Sequence, residues 1–493
     1  MTSRLRQDAL EHFPESVGTP AYDRSVLTAG IVHFGVGGFH RAHQAMYLDR
    51  LMNSGHAFDW AICGVGVLPS DARMKKVMDD QDCLYTLVLK NPDGTREARV
   101  IGSIIEYLFA PDDPEAVIEK MASEEVRIVS LTVTEGGYNV HHVTGEFNRE
   151  NPDVVHDLLP GVAPQTVFGL VTEALSRRRA RGLAPFTVMS CDNIQGNGDV
   201  ARKMFTSFAS LKDPELGAWI EEHVPFPNSM VDRITPVTSD EDRLAIGEEF
   251  GVDDAWPVVC EPFEQWVLED HFSLGRPPFE KAGVQLVKDV EPYELMKLRL
   301  LNAGHQALCF FGYLAGYRYA HEVCQDPLFA QFVLDYMDKE ATPTLEPVPG
   351  IDLHRYKRTL IERFSNENVR DTLARLCAES SDRIPKFLLP VVLTNLENGG
   401  DISRSAAIVA SWARYDEGTD EQGQAIDVVD RLKETLMAAA ARQRQDPLAF
   451  IRDREVFGDL ADNEYFVKAY VAALEKLHDV GARATLETLA DTP

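Results

Sequence analysis

The sequence predicts an α/β protein: a doubly wound parallel sheet carrying an inserted hairpin, followed by a mostly α-helical C-terminal domain. Three observations predict it. In the first half, apolar strand-like runs at 30–35, 60–65, 127–134 and 186–191 alternate with helix-like segments at 41–54, 70–79, 114–123 and 163–181, the rhythm of parallel βαβ units. One stretch, "LYTLVLKNPDGTREARVIGSI", breaks that rhythm with two β-rich runs around Asn91-Pro92-Asp93-Gly94, and reads as a hairpin added to the sheet. From residue 292 onward, long segments of helical periodicity dominate: 293–315, 327–339, 353–364, 369–378, 384–397 and 403–415. The boundary is set after the Gly/Pro-containing "SLGRPPFEKAG", giving domains 1–285 and 286–493.

Composition bounds the function. With 49 basic and 78 acidic residues, the net charge of −29 argues against nucleic acid and anionic membrane as partners, since both require basic patches. Seven cysteines, at 63, 83, 191, 260, 309, 324 and 377, form no C-x-x-C pair, which suggests reduced thiols rather than a disulfide framework. The first residues, "MTSRLRQDALEHFPESVG", contain no apolar core of a secretory signal. The longest apolar run, near "ALCFFGYLAGY", is too short for a membrane span. The expectation is a cytoplasmic protein acting on small molecules.

The segment "IVHFGVGGFHRAHQAMYLDRL" opens as a dinucleotide-binding turn does. Gly35 permits the tight turn after the strand, and Gly37 lets backbone N–H groups approach a pyrophosphate. His40 stands where the third glycine of the fingerprint would serve helix–strand packing; Gly38 adds backbone freedom, and Arg41 is placed near the phosphates. An ordinary βα turn is the competing reading. His40 and His43 share a helix face, but no third ligand sits at metal spacing. Asp71, after the second strand, is the candidate for holding ribose hydroxyls, which would favour NAD over NADP. Helix capping is its bland alternative.

The segment "EPYELMKLRLLNAGHQALCFFGYLAG" is apolar on nearly all sides. Lys297, Asn302 and His305 interrupt it. At about 100° per residue, with Lys297 at zero, Glu294 falls near 60°, His305 near 80° and Asn302 near 140°. A buried polar group left unpaired costs roughly 1–3 kcal/mol, and a buried charge more. Such an arc is therefore either satisfied internally or faces a wet cavity. A desolvated lysine is a usable general base, an asparagine donates to a developing oxyanion, and a histidine positions a hydroxyl. Together they suit an alcohol–carbonyl interconversion. Asp192 and Asn193 lie just past the strand "FTVMSC", at the edge where open α/β sheets bind ligands. "MVDRITP" sets Asp232 beside Arg233, as a substrate contact or a structural ion pair.

These motifs, "GVGGFHRAHQ", "TVTEGGY", "SCDNIQGNG", "MVDRITP", "KLRLLNAGHQ" and "RIPKF", occur in an order that resembles the polyol-specific long-chain dehydrogenases, the mannitol dehydrogenase family, over nearly the whole chain. The resemblance implies an N-terminal Rossmann-type domain whose cofactor loop runs from Gly35 through Gly37, Gly38 and Phe39, and a helical C-terminal domain. It implies metal-independent oxidation of D-mannitol at C2 to D-fructose with NAD, in a monomer. The catalytic lysine would be Lys297, the oxyanion-stabilising asparagines Asn193 and Asn302, and the substrate-positioning histidine His305. Asp232, Arg375 and Arg383 match positions lining the polyol site, with Lys386 an alternative to Arg383. Glu294 or Glu135 would pass the proton to water. D-Arabinitol 4-dehydrogenase, fructuronate or tagaturonate reductase, and a nucleotide-binding redox sensor are the competing readings.

Overall fold

The computed structural model describes residues 2–141 and 145–490 and divides into two compact units, Met1–Glu291 and Pro292–Pro493. In the first unit, five strands, β1 (Ala29–Phe34), β2 (Ala61–Gly66), β3 (Ile104–Phe109), β4 (Ile128–Leu131) and β5 (Thr187–Ser190), form one parallel sheet. Their spatial order is β3-β2-β1-β4-β5, so the winding reverses between β1 and β4. Alternation within strands assigns the two faces. Val32, Phe34, Cys63, Val65, Val129 and Leu131 enter one core, and Ile31, Ile62, Ile128 and Met189 enter the other. Both faces are covered by helices, as a parallel sheet requires.

The predicted hairpin exists, as antiparallel strands Tyr85–Lys90 and Arg96–Ile101, but it does not join this sheet. It lies in a separate four-stranded sheet, where Tyr85–Lys90 pairs in parallel with Val258–Cys260. That partner is far away in sequence, and no local pattern reveals it. The edge of the main sheet is instead β3, the apolar run immediately after the hairpin. The expected strand 127–134 stops at Leu131, and the expected helix 41–54 is two helices, α1 (Gly38–Ala42) and α2 (Gln44–Asn53), broken at His43.

The second unit is helical. Ala303–Leu314 (α3) is buried at all but one of its positions, and Ser403–Tyr415 (α4) is also largely buried. The expected helix 369–378 shrinks to Leu373–Cys377, with Arg370 in the left-handed region at φ 52°. The expected helix 384–397 is split at Leu388, where Pro390 lacks the N–H that a continuous helix would need. Among the described residues, no helix is long and apolar enough to cross a membrane. All seven cysteines are buried and unbridged.

The start of α4 has Ile402 at its N-cap, which has no side-chain acceptor for the first amides. Glu340 supplies one from a distant turn. Its carboxylate accepts from the Arg404 amide (2.6 Å), the Ser405 amide (2.8 Å) and the Ser405 hydroxyl (2.5 Å). Burial outweighs these donors and pushes the carboxyl up from 4.5 to about 7. A carboxyl raised on folding gives stability that is full below its unfolded value and is lost as pH climbs through the folded one. Wild-type stability should therefore drop by about 3 kcal/mol relative to Glu340→Gln between pH 4.5 and 8. Denaturant melts across that range, with parallel curves for the two proteins as the contrary result, check this.

Candidate active site

In the first unit, the glycine loop leaves β1 beside the end of β4, at the reversal point of the sheet. Gly35 has φ +92°, and a Cβ there would lie 2.1 Å from the Thr132 carbonyl oxygen, so both backbone angle and space demand glycine. Gly37 differs. Its φ is −90°, and the nearest atom to an added Cβ is the Gly35 oxygen at 3.9 Å. Among the described residues nothing else comes within 4 Å of that position, as suits a loop meant to let a phosphate approach closely. Among the described residues, Gly38 likewise has only the Thr235 methyl within 4 Å, at 3.6 Å. Phe39 stacks on His43, with ring centroids 4.9 Å apart.

The third-glycine position is explained by a residue that sequence reasoning passed over. His33, in the otherwise apolar β1, stacks on His40 with centroids 3.4 Å apart. Its Nδ1 meets the Ser130 hydroxyl at 2.7 Å, and Ser130 donates to Gln44 at 2.9 Å. Its Nε2 meets the Thr132 hydroxyl (2.9 Å), which also reaches the Gly35 carbonyl (2.7 Å). Burial lowers His33 to about 3, and burial together with His33 holds His40 well below its usual range, so both rings are neutral. A polar imidazole in an apolar strand was the available signal.

Arg41 does not face the phosphate space. It is buried, donates to the Trp256 and Gly37 carbonyls, and lies against the Tyr85 ring, bracing the loop from beneath. Among the described residues no cluster of His, Cys, Asp and Glu is arranged to hold a metal, and His43 Nε2 faces the Gln265 carbonyl at 3.2 Å. Asp71 sits one turn beyond β2. One carboxylate oxygen accepts from the Val67 and Leu68 amides, at 3.0 and 2.9 Å. The long interval from Gly35 to Asp71 holds α1, α2 and the turn before β2.

At the ends of β4 and β5, Asp192 is buried and Asn193 beside it is exposed. Glu135 is exposed on the short helix Thr134–Gly137. Asp232 ends the strand Ser229–Asp232 and is buried; Arg233 pairs with Glu264 at 3.2 Å.

In the second unit, Glu294, Lys297, Asn302 and His305 are 7%, 7%, 8% and 9% exposed. Their helix is not uniform: Lys297–Asn302 winds as a π-helix between α-helical segments. The Ala303 amide bonds to the Leu298 carbonyl, five residues back. At roughly 4.4 residues per turn for this wider winding, Asn302 comes to about 50° from Lys297 instead of 140°, and His305 to about −10°. The polar arc is thus narrower than a regular helix gives. The wide turn also releases the Arg299 carbonyl, which accepts from the buried Tyr336 hydroxyl at 3.1 Å.

His305 packs against Phe364, with centroids 4.4 Å apart. The neighbouring Gln306 donates to the Leu376 carbonyl (3.4 Å), and Arg383 donates to that carbonyl (3.2 Å) and to that of Arg375 (3.0 Å). The structure thereby ties the helix of His305 to those carrying Arg375 and Arg383. The Arg375 fork is bidentate on Asp371, at 2.6 Å for each bond, and Lys386 is exposed.

A family model for the mannitol dehydrogenase Rossmann domain matches residues 29–281, and one for the mannitol dehydrogenase C-terminal domain matches residues 289–478. The chain belongs to the mannitol dehydrogenase family. This member is 48% identical over 480 residues to a mannitol 2-dehydrogenase of Phaeosphaeria nodorum, spanning 97% of this chain and 84% of that one. It is 48% identical over 477 residues to a mannitol 2-dehydrogenase of Aspergillus fumigatus, spanning 95% of both. Among solved structures, Pseudomonas fluorescens mannitol 2-dehydrogenase in ternary complex with NAD and D-mannitol matches at 46% identity and TM-score 0.90, covering 100% of each chain. A substrate-free D-sorbitol dehydrogenase matches at 40% identity and TM-score 0.90, covering 98% of this chain and 100% of that one.

The two glycines make separable predictions. Gly35→Ala should lower both thermal stability and NADH affinity, because its Cβ collides with backbone. Gly37→Ala should keep the melting temperature and weaken NADH binding at least about tenfold, because its Cβ enters only the open space of the loop. Calorimetric melts and NADH fluorescence titrations check both; unchanged affinity in Gly37→Ala contradicts the assignment.

Proposed function

We propose that this protein is an NAD-dependent polyol dehydrogenase that oxidises D-mannitol at C2 to D-fructose and catalyses the reverse reaction. The observation that carries the reading is the buried polar arc of Lys297, Asn302 and His305 on a largely apolar helix. The cofactor fits the residues present: Gly37 and Gly38 leave room beside the β1 turn, with Phe39 completing the loop, and Asp71, one turn beyond β2, suits ribose hydroxyls and repels a 2′-phosphate. When bound, NAD accepts a hydride from the carbinol carbon and, reduced, returns one to the ketone.

The chain supplies the proton chemistry. Lys297, as a neutral amine, takes the hydroxyl proton, and as an ammonium it returns that proton during reduction. Asn193 and Asn302 donate to the oxygen as negative charge develops on it. His305 holds the reacting hydroxyl in place, while Asp232 and Arg375, with Arg383 or Lys386, line the remaining hydroxyls. Glu294, one turn before Lys297, or Glu135 relays the proton to water. No step requires a metal. The reading includes a monomer in the cytoplasm; its net charge of −29 suits small-molecule chemistry and disfavours nucleic acid.

A uronate substrate would need a cation free for its carboxylate, and the Asp371 carboxylate on Arg375 weighs against that. D-Sorbitol is the second substrate to test, because the D-sorbitol dehydrogenase structure is so similar. Reduced-nicotinamide absorbance with mannitol, sorbitol, arabinitol and fructuronate should give mannitol the highest kcat/KM, and NAD should exceed NADP. Lys297→Ala should lower kcat by about 1,000-fold, and Asn193→Ala and Asn302→Ala by about 100-fold each. Full turnover in Lys297→Ala would remove the base assignment.

A further inference from the structure

We propose that Asp192 is a positioning residue for the oxyanion asparagine Asn193, acting as a clamp that holds the adjacent 133–138 turn in a strained conformation. The inference rests on the role given to Asn193 under the proposed function. Asp192 is buried at the end of β5, while Asn193 is exposed. One carboxylate oxygen accepts from the Thr134 amide at 2.8 Å, and the other from the Val133 amide at 3.0 Å and the Tyr138 hydroxyl at 2.8 Å. Tyr138 is itself fully buried and meets the Ser190 hydroxyl at 2.6 Å. The Asp192 backbone is fixed as well: its amide donates to Ser190 Oγ at 3.2 Å, and its carbonyl accepts from the buried Asn197 amide at 3.0 Å.

The turn so held is strained. Thr134 is β-branched yet has φ +65°, in the left-handed region. Such a residue persists only where its surroundings over-determine it, and such strain gathers at functional sites. Here the surroundings are the paired oxygens of Asp192. They bind two successive amides and a phenol, so the ends of β4 and β5 move as one body, and the backbone from which Asn193 projects is fixed. Glu135 projects from the same clamped turn.

The substitution Asp192→Asn turns one acceptor into a donor facing an amide. Thr134 then leaves the left-handed region and the support beneath Asn193 loosens. The expected result is a kcat lower by about 100-fold, the scale of a misplaced catalytic group, with the NADH dissociation constant within about threefold of wild type, since the glycine loop is held by separate bonds. Two further comparisons separate positioning from mere stability. In Asp192→Asn/Thr134→Gly the turn keeps its angle without the clamp, so kcat should recover at least about fivefold over Asp192→Asn. In Asp192→Asn/Asn193→Ala the loss should equal that of Asn193→Ala alone, because the clamp acts through Asn193. Tyr138→Phe, which leaves both amide bonds, gives a smaller loss of the same kind and serves if Asp192→Asn does not fold. Wild-type kcat in Asp192→Asn, multiplicative losses in the double variant, or no recovery with Thr134→Gly overturns the clamp while leaving the role of Asn193 intact. Wild-type kcat in Asn193→Ala overturns that role, and the clamp with it.

Discussion

An amine buried in the middle of an apolar helix is the constraint around which the second unit is built. Removing an ammonium from water costs several kcal/mol unless partners or protonation chemistry compensate. Lys297 is nonetheless 7% exposed, with Glu294, Asn302 and His305 equally sheltered. A regular α-helix would spread these groups over a wide arc. The π-helical winding of Lys297–Asn302 draws them together, at the cost of freeing a backbone carbonyl, and Tyr336 satisfies that carbonyl. Glu340 supplies a similar long-range remedy, capping α4, whose own N-cap residue has no side-chain acceptor. Both devices place polar groups in apolar surroundings only where specific partners await them.

The first unit meets a different demand, that of holding a bare backbone loop still. Glycine at 35 and 37 removes side chains where the chain must turn or a ligand must approach, and such a loop has little packing of its own. The network His33–Ser130–Gln44 and His33–Thr132–Gly35 supplies the missing rigidity across the reversal point of the sheet. Two stacked neutral imidazoles occupy the space in which the usual fingerprint places helix–strand packing. Next to this loop, Asp192 does for the 133–138 turn what His33 does for Gly35, joining neighbouring strand ends through side-chain hydrogen bonds.

Local pattern made the alternating strands, the glycine turn and the exceptional polar helix legible in the sequence. Lys297, Asn302 and His305 stood out because an apolar context makes each polar residue costly. Non-local pairing stayed hidden. The strand at 258–260 claims the hairpin for another sheet, Glu340 caps a helix that begins more than sixty residues later, and Arg41 turns into the protein because Trp256 and Tyr85 await it there. The π-turn was hidden for a different reason. Every helical angle drawn from sequence presupposes 3.6 residues per turn, and nothing local in "KLRLLN" announces the wider winding. The positive φ of Thr134 contradicts its residue type and is stabilised by residues from another strand, so no local rule predicts it.

The most direct test of Lys297 as the proton acceptor is chemical rescue of Lys297→Ala by small primary amines in the medium, with NADH binding as the check that the variant is folded. If the amine of Lys297 carries the proton, methylamine and ethylamine raise the residual mannitol oxidation rate in proportion to their neutral concentration, and tetramethylammonium does not. A folded, NADH-binding variant that no amine accelerates, or that the quaternary ion accelerates equally, contradicts the account.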